Sequence, residues 1–106
     1  MPILPLTEEN FGQEVLQAAG PVLVDLFAAW CGPCRALAPV LETLAETRPE
    51  LRIGKVDVDA QPELAARFDV LTVPTLLLFR SGRLLRRTTG AKTLTEREEF
   101  LRSGEA

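Results

Sequence analysis

Val22-Leu23-Val24-Asp25-Leu26-Phe27-Ala28-Ala29-Trp30-Cys31-Gly32-Pro33-Cys34 holds both cysteines of the chain and decides how the rest is read. Its first half is apolar except at Asp25, the pattern of a strand covered on both faces of a sheet. Helices are therefore expected on both sides of that strand. Beyond the cysteines, Leu37, Val40, Leu41, Leu44 and Ala45 recur at helical spacing until Arg48-Pro49 ends the run. The cysteines thus stand where a strand passes into a helix, in the first helical turn. Unpaired N–H groups and the positive end of the helix dipole favour an ionised sulfur there. Cys34, about one turn on, can reach back to Cys31. A bridge closing so short a loop adds little stability, so the pair reads as reactive rather than as a staple.

Cys31, expected to be exposed at the first turn, is the candidate nucleophile, and Cys34, expected to lie deeper, is the resolving thiol. Thiol-disulfide exchange then needs two steps: attack by Cys31 on a target disulfide, and attack by Cys34 on the mixed disulfide. A metal site and an inert pair are the other readings of two such cysteines. A structural zinc site wants four Cys or His ligands, and this chain offers two cysteines and no histidine. Only a bridging dimer would complete one, so no metal and no cofactor is expected. The lack of histidine also removes the cysteine proteases, the serine hydrolases and imidazole proton shuttles, leaving Asp, Glu, Lys and water to move protons.

The chain's 106 residues amount to one domain, 1–106, with 46% apolar and 25% charged residues, a globular balance. A net charge of -3 gives no footprint for a phosphate backbone, so nucleic acid is not an expected partner. No apolar stretch is long enough to cross a bilayer, and Met1 to Pro5 lacks the basic and apolar regions of a signal peptide, so a cytoplasmic protein without membrane contact is expected. A structural disulfide would not persist in that compartment.

Working outward, Ile3-Leu4 reads as a short strand. Thr7 reads as the cap of a helix that carries Phe11, Val15, Leu16 and Ala19 and closes at Gly20. Pro39 is expected to kink the cysteine helix. Leu51 to Val58 is a strand, Pro62 to Phe68 a short helix, and Leu76 to Phe79 a strand turned at Ser81-Gly82 into Leu84 to Thr89. Thr93 and Glu96 have capping-box spacing for a final helix with Phe100 and Leu101. Strands alternating with helices before a closing hairpin indicate an α/β domain with a mixed sheet between helices. Arg80, Arg83, Arg86 and Arg87 on the hairpin read as a solvated face pairing with acids of the last helix.

Trp30-Cys31-Gly32-Pro33-Cys34 after a strand bearing Asp25, with Val73-Pro74-Thr75 and Gly90 far downstream, resembles the thioredoxin family over nearly the whole chain. Gly-Pro between the cysteines is the pairing of that superfamily's reducing branch. The resemblance implies the thioredoxin fold, a central mixed β-sheet flanked by helices on both faces. It also implies a general protein-disulfide reductase that cycles between a Cys31/Cys34 dithiol and a disulfide. The partners would be disulfide-containing target proteins and an NADPH-dependent thioredoxin reductase, with a monomer as the working form. A reductant dedicated to one pathway, or a binding subunit that does not use its thiols, are the alternatives.

The resemblance also assigns residues. A buried carboxylate is costly unless protonated or partnered, so a buried Asp25 would have a raised pKa. In the family the matching aspartate relays the proton that the resolving thiol must lose; the plainer reading is a strand residue facing solvent. Lys55 matches a lysine that tunes that carboxyl, and is otherwise a solvated strand residue. Pro74 matches a cis-proline, although an X–Pro bond is ordinarily trans. With Val73 it would present backbone to an extended substrate, where the plain reading is a strand-entry proline. Trp30, Gly32, Pro33, Val73, Gly90 and Ala91 would form the docking rim, Gly90 being also an ordinary turn glycine. The chain departs from the family at Phe27, where a second tryptophan is common, at Arg35, where lysine is usual, and at Thr72, a frequent glycine position.

Overall fold

Pro21–Phe27 forms the middle strand, β2, and everything else is arranged around it. The computed structural model describes residues 3–90, so the expected final helix from Thr93 and the rim residue Ala91 lie outside the described residues. The other strands are β1 (Leu4–Pro5), β3 (Arg52–Asp57), β4 (Thr75–Arg80) and β5 (Arg83–Thr89), in the order β1-β3-β2-β4-β5. β3 pairs parallel with both β1 and β2, while β4 runs antiparallel to β2 and β5 antiparallel to β4, which is the mixed sheet expected.

Alternation along β2 sends its side chains to two cores. Val22, Val24 and Leu26 pack with Phe11, Val15, Leu64, Leu77 and Phe79 on one face. Leu23 packs on the other with Leu37, Leu41 and Leu44 of helix α1 (Gly32–Thr47), together with Ile53, Leu76 and Leu78. Helix α2 (Pro62–Arg67) supplies Leu64 to the first face. Phe11, Phe68 and Phe79 meet there with ring centroids 5.3 to 5.8 Å apart, in tilted and edge-on contacts. The continuous apolar run of β2 therefore did mean cover on both faces.

Three details differ from the sequence expectation or sharpen it. The first helix is a short π-helical segment, Gly12–Leu16, in which the Gln17 N–H reaches the Gly12 carbonyl at 2.9 Å. Thr7 does begin the segment, but through a closed turn: its N–H donates to Asn10 Oδ1 at 2.7 Å while its Oγ1 accepts from the Asn10 N–H at 3.3 Å. The Ser81-Gly82 hairpin has φ of +51° and +79° at its two central residues, which is the left-handed turn that matches strand twist and that Gly82 accommodates without strain. Helix α1 continues through Pro39 to Thr47.

The expected pairing of the hairpin arginines with acids of a last helix lies outside the described residues, but partners of Arg87 are found within them. Its guanidinium donates to the carbonyls of Phe68 and Asp69, the latter at 2.7 Å. Opposite Leu77 in the β4/β5 register, it lies on the face that carries α2.

Candidate active site

Strand directions bring four chain segments to one edge of the sheet. The ends of β2 and β3, the start of β4 and the end of β5 coincide there, because Phe27 pairs with Asp57, Leu26 with Thr75, and Thr75 with Thr89. The turns beyond these pairs carry Trp30 to Cys34, Val58 to Ala60, Thr72 to Pro74, and Gly90. Residues far apart in sequence thus surround the two sulfurs.

Cys31 is the N-cap of α1, with extended backbone (φ -88°, ψ 116°), and Gly32 and Pro33 open the helix. Proline is tolerated in the first turn because its missing N–H has no helical partner to lose. The Cys31 Sγ accepts the Cys34 backbone N–H at 3.2 Å, so the sulfur takes the place usually held by a capping oxygen. Its thiol donates to the Val73 carbonyl at 3.7 Å, across 42 residues of sequence. Both cysteines are free thiols. Contrary to the expected exposed Cys31 above a deeper Cys34, the two are 4% and 3% exposed, packed with Ala28 against Phe27, Val58 and Val73.

Fractional exposure therefore does not separate the two sulfurs, but their partners do. Burial pushes the Cys34 thiol up from its ordinary 9.0 to about 11, and its hydrogen bond with Cys31 adds to the rise. A hydrogen bond with the Ala28 backbone opposes it, and the negative charges of Cys31 and Asp25 raise it further. Cys34 is therefore held as a thiol at neutral pH. Cys31 is the sulfur already engaged by a helix-terminal amide.

Asp25 is fully buried, so the solvent-facing reading fails. By alternation it shares the α1 face with Leu23, and its charge is felt by Cys34. Lys55 is its register partner on β3, but the Lys55 ammonium sits over the Phe27 ring, 4.5 Å from its centroid. The aromatic seat of that lysine is thus the position where the chain departs from the family.

Of the expected rim residues, Trp30, Gly32, Pro33, Val73 and Gly90 lie within the described residues. Trp30 is 68% exposed, and its indole Nε1 donates to Asp59 Oδ2 at 2.9 Å. Asp59 is held in turn by Asp57, whose Oδ1 accepts the Asp59 and Ala60 N–H groups. The Val73–Pro74 bond is cis, as the resemblance implied. Gly32 and Pro33 are exposed, and Gly90, with φ of +81°, returns its N–H to the Pro74 carbonyl at 2.9 Å. At that φ the backbone itself favours glycine. A groove of about 350 Å³ runs from Trp30 and Val58 past Val70, Leu71 and Thr72 to Val73. Leu71 stands 93% exposed on its wall.

The other departures have local partners. Arg35 reaches back to donate to the Ala29 carbonyl at 2.9 Å, and the Thr72 carbonyl accepts from Thr75 Oγ1 at 2.7 Å. Sequence reasoning missed Asp59, which orients Trp30. The only local signal was the Asp57-Val58-Asp59 spacing that builds its turn. Among the described residues, no three Cys, Asp or Glu side chains gather to hold a metal ion.

The thioredoxin family model matches residues 2–103. The thioredoxin of Mycobacterium tuberculosis (strain ATCC 25618 / H37Rv) is 47% identical over 90 residues, which covers 84% of this chain and 78% of that protein. The thioredoxin of Chlamydia trachomatis is 46% identical over 87 residues, 82% of this chain and 83% of that one. A bifunctional thioredoxin reductase/thioredoxin of Mycobacterium leprae is 47% identical over 90 residues, 84% of this chain, which spans only 20% of that larger protein. With a helix-capping Cys31, a high-pKa Cys34 and relatives of this kind, the chain belongs to the thioredoxin family of protein thiol-disulfide oxidoreductases.

Proposed function

We propose that this protein is a general reductant of protein disulfides, with Cys31 as nucleophile, Cys34 as resolving thiol and Asp25 as the proton acceptor for Cys34. The observation that carries the assignment is the inequality of the sulfurs, one capped by an amide and the other held protonated by burial. The Cys31 thiolate attacks one sulfur of a target disulfide; the target S–S bond breaks, a Cys31–target bond forms, and the released target sulfur takes up a proton. Cys34 then gives its proton to Asp25 and attacks the Cys31 sulfur, which expels the second target thiolate. Two target thiols leave, and the protein keeps a Cys31–Cys34 disulfide. Asp25 is fully buried and its charge is felt by Cys34, which suits this carboxyl to take up the proton that Cys34 gives. Lys55, next to it in register, tunes that exchange.

In this reading the extended target segment lies against Trp30, Gly32, Pro33, Val73, Pro74 and Gly90, with Ala91 continuing the rim. Residues 1–106 work as one monomeric domain in the cytoplasm, and the disulfide is returned to dithiol by an NADPH-dependent thioredoxin reductase, which makes the cycle a short electron-transport chain. Among the described residues no helix is long and apolar enough to cross a membrane.

Equilibration of Cys31 and Cys34 with defined glutathione buffers tests the direction of the chemistry. Trp30, the only tryptophan of the chain, reports the change by fluorescence, and thiol alkylation checks it. A potential well below the glutathione couple is expected; one near that of the disulfide isomerases would make the protein an oxidant or isomerase instead.

The relay has its own test. In Asp25→Asn the second step must wait for Cys34 to ionise by itself. With that thiol at about 11, release of the target should climb roughly tenfold per pH unit through the neutral range, following the ionised fraction. The unaltered protein should climb less steeply. Loss of the Asp25 charge also lowers the Cys34 pKa, but that charge is the smallest of the causes raising it. Rapid-mixing decay of the mixed disulfide gives both slopes, and equal slopes would remove Asp25 from the relay.

A further inference from the structure

The wall of the groove beside Cys31 begins where α2 ends, and that ending is unusual. Asp69 follows the helix with φ of +54°. Its N–H returns to the Ala66 carbonyl at 3.1 Å and that of Val70 to the Ala65 carbonyl at 2.9 Å, the paired bonds that close a helix through a left-handed residue. Glycine is the usual occupant, since a side chain at that φ crowds the backbone. Here an aspartate is kept there, and the outward carbonyls of Phe68 and Asp69 are both taken by Arg87 from β5. A cation at the negative end of a helix is also favourably placed.

From this anchor the chain runs directly into Val70, Leu71, Thr72 and Val73, one side of the groove. The far end is tied as well, by Thr75 Oγ1 on the Thr72 carbonyl and by the Cys31 thiol on the Val73 carbonyl. Arg87 supplies the tie at the near end. We propose that Arg87 is a positioning residue for substrate docking, which fixes the 70–73 wall by clamping the two carbonyls that end α2. It touches neither sulfur nor target, and the inference rests on the disulfide-reductase reading above.

Arg87→Met removes the clamp and keeps an unbranched side chain. With oxidised insulin as the protein substrate, KM should rise about fivefold, the equivalent of one net hydrogen bond, at unchanged kcat. The rate with a small aromatic disulfide, which needs no groove, should stay the same, as should the reduction potential. Arg87→Lys, which keeps a donor and the charge, should recover part of the loss. Arg87→Gln gives the same comparison if the methionine variant does not fold. A lowered melting temperature at unchanged KM would make Arg87 merely structural, and a parallel fall in the small-disulfide rate would place its effect at the sulfurs; either result overturns the proposal. Failure of the unaltered protein to reduce insulin would instead overturn the reductase reading.

Discussion

Cys31→Ser should reduce no protein disulfide, with turnover lower by at least about 10⁴-fold, because a serine oxygen cannot form the mixed disulfide through which both steps pass. The loss should be chemical rather than structural. Serine is among the preferred N-cap residues, and its hydroxyl can accept the Cys34 N–H that the sulfur now accepts at 3.2 Å. The first turn of α1 therefore survives, and thermal unfolding of the reduced variant should lie within about 1 kcal/mol of the unaltered protein. Insulin precipitation under a supplied dithiol measures turnover, and a circular dichroism melt measures the fold. Residual turnover above about one per cent would mean that Cys34 can act as the attacking thiol, against its high pKa.

The parts of this molecule that were legible in its sequence are those set by local pattern. β2 announced itself because an apolar run of strand length has few other places to go, and α1 because its apolar residues keep helical spacing up to Arg48-Pro49. The dithiol was legible from spacing alone. What failed to show was set by partners distant in sequence. The Trp30–Asp59 hydrogen bond spans 29 residues and the Arg87 clamp 18 and 19, and no periodicity carries such pairs. Cys31 was expected to be exposed because it caps a helix; it is buried because Val58 and Val73, from two other turns, close over it. Lys55 was associated with Asp25 only through the resemblance; the two are register partners, and the Lys55 ammonium rests on Phe27, the residue that departs from the family. The first helix was legible at its start, where Thr7 and Asn10 cap each other and the Phe11 N–H reaches the Thr7 carbonyl at 2.9 Å, but not in the π-helical form of its body, Gly12–Leu16.

Cys34→Ser should have the opposite outcome to the loss of Cys31: it should react once and stop. The attacking sulfur and its amide donor are both retained, since the donor is the backbone of residue 34 rather than its side chain. The first exchange therefore proceeds, and the target stays bonded to Cys31 because no second thiol remains in the chain to displace it. Nor does the substitution leave a large hole, as serine is close to cysteine in size, although its hydroxyl enters a site that is only 3% exposed. A modest loss of stability is expected beside a nearly complete loss of turnover, and the mixed disulfide should approach one per protein molecule on a non-reducing gel, confirmed by intact mass. The same incubation with Cys31→Ser should give no adduct. If the adducts appeared with Cys31→Ser instead, the roles of the two sulfurs would be reversed. If they appeared with neither variant, the thiols would not be attacking targets at all, and the domain would act by binding alone.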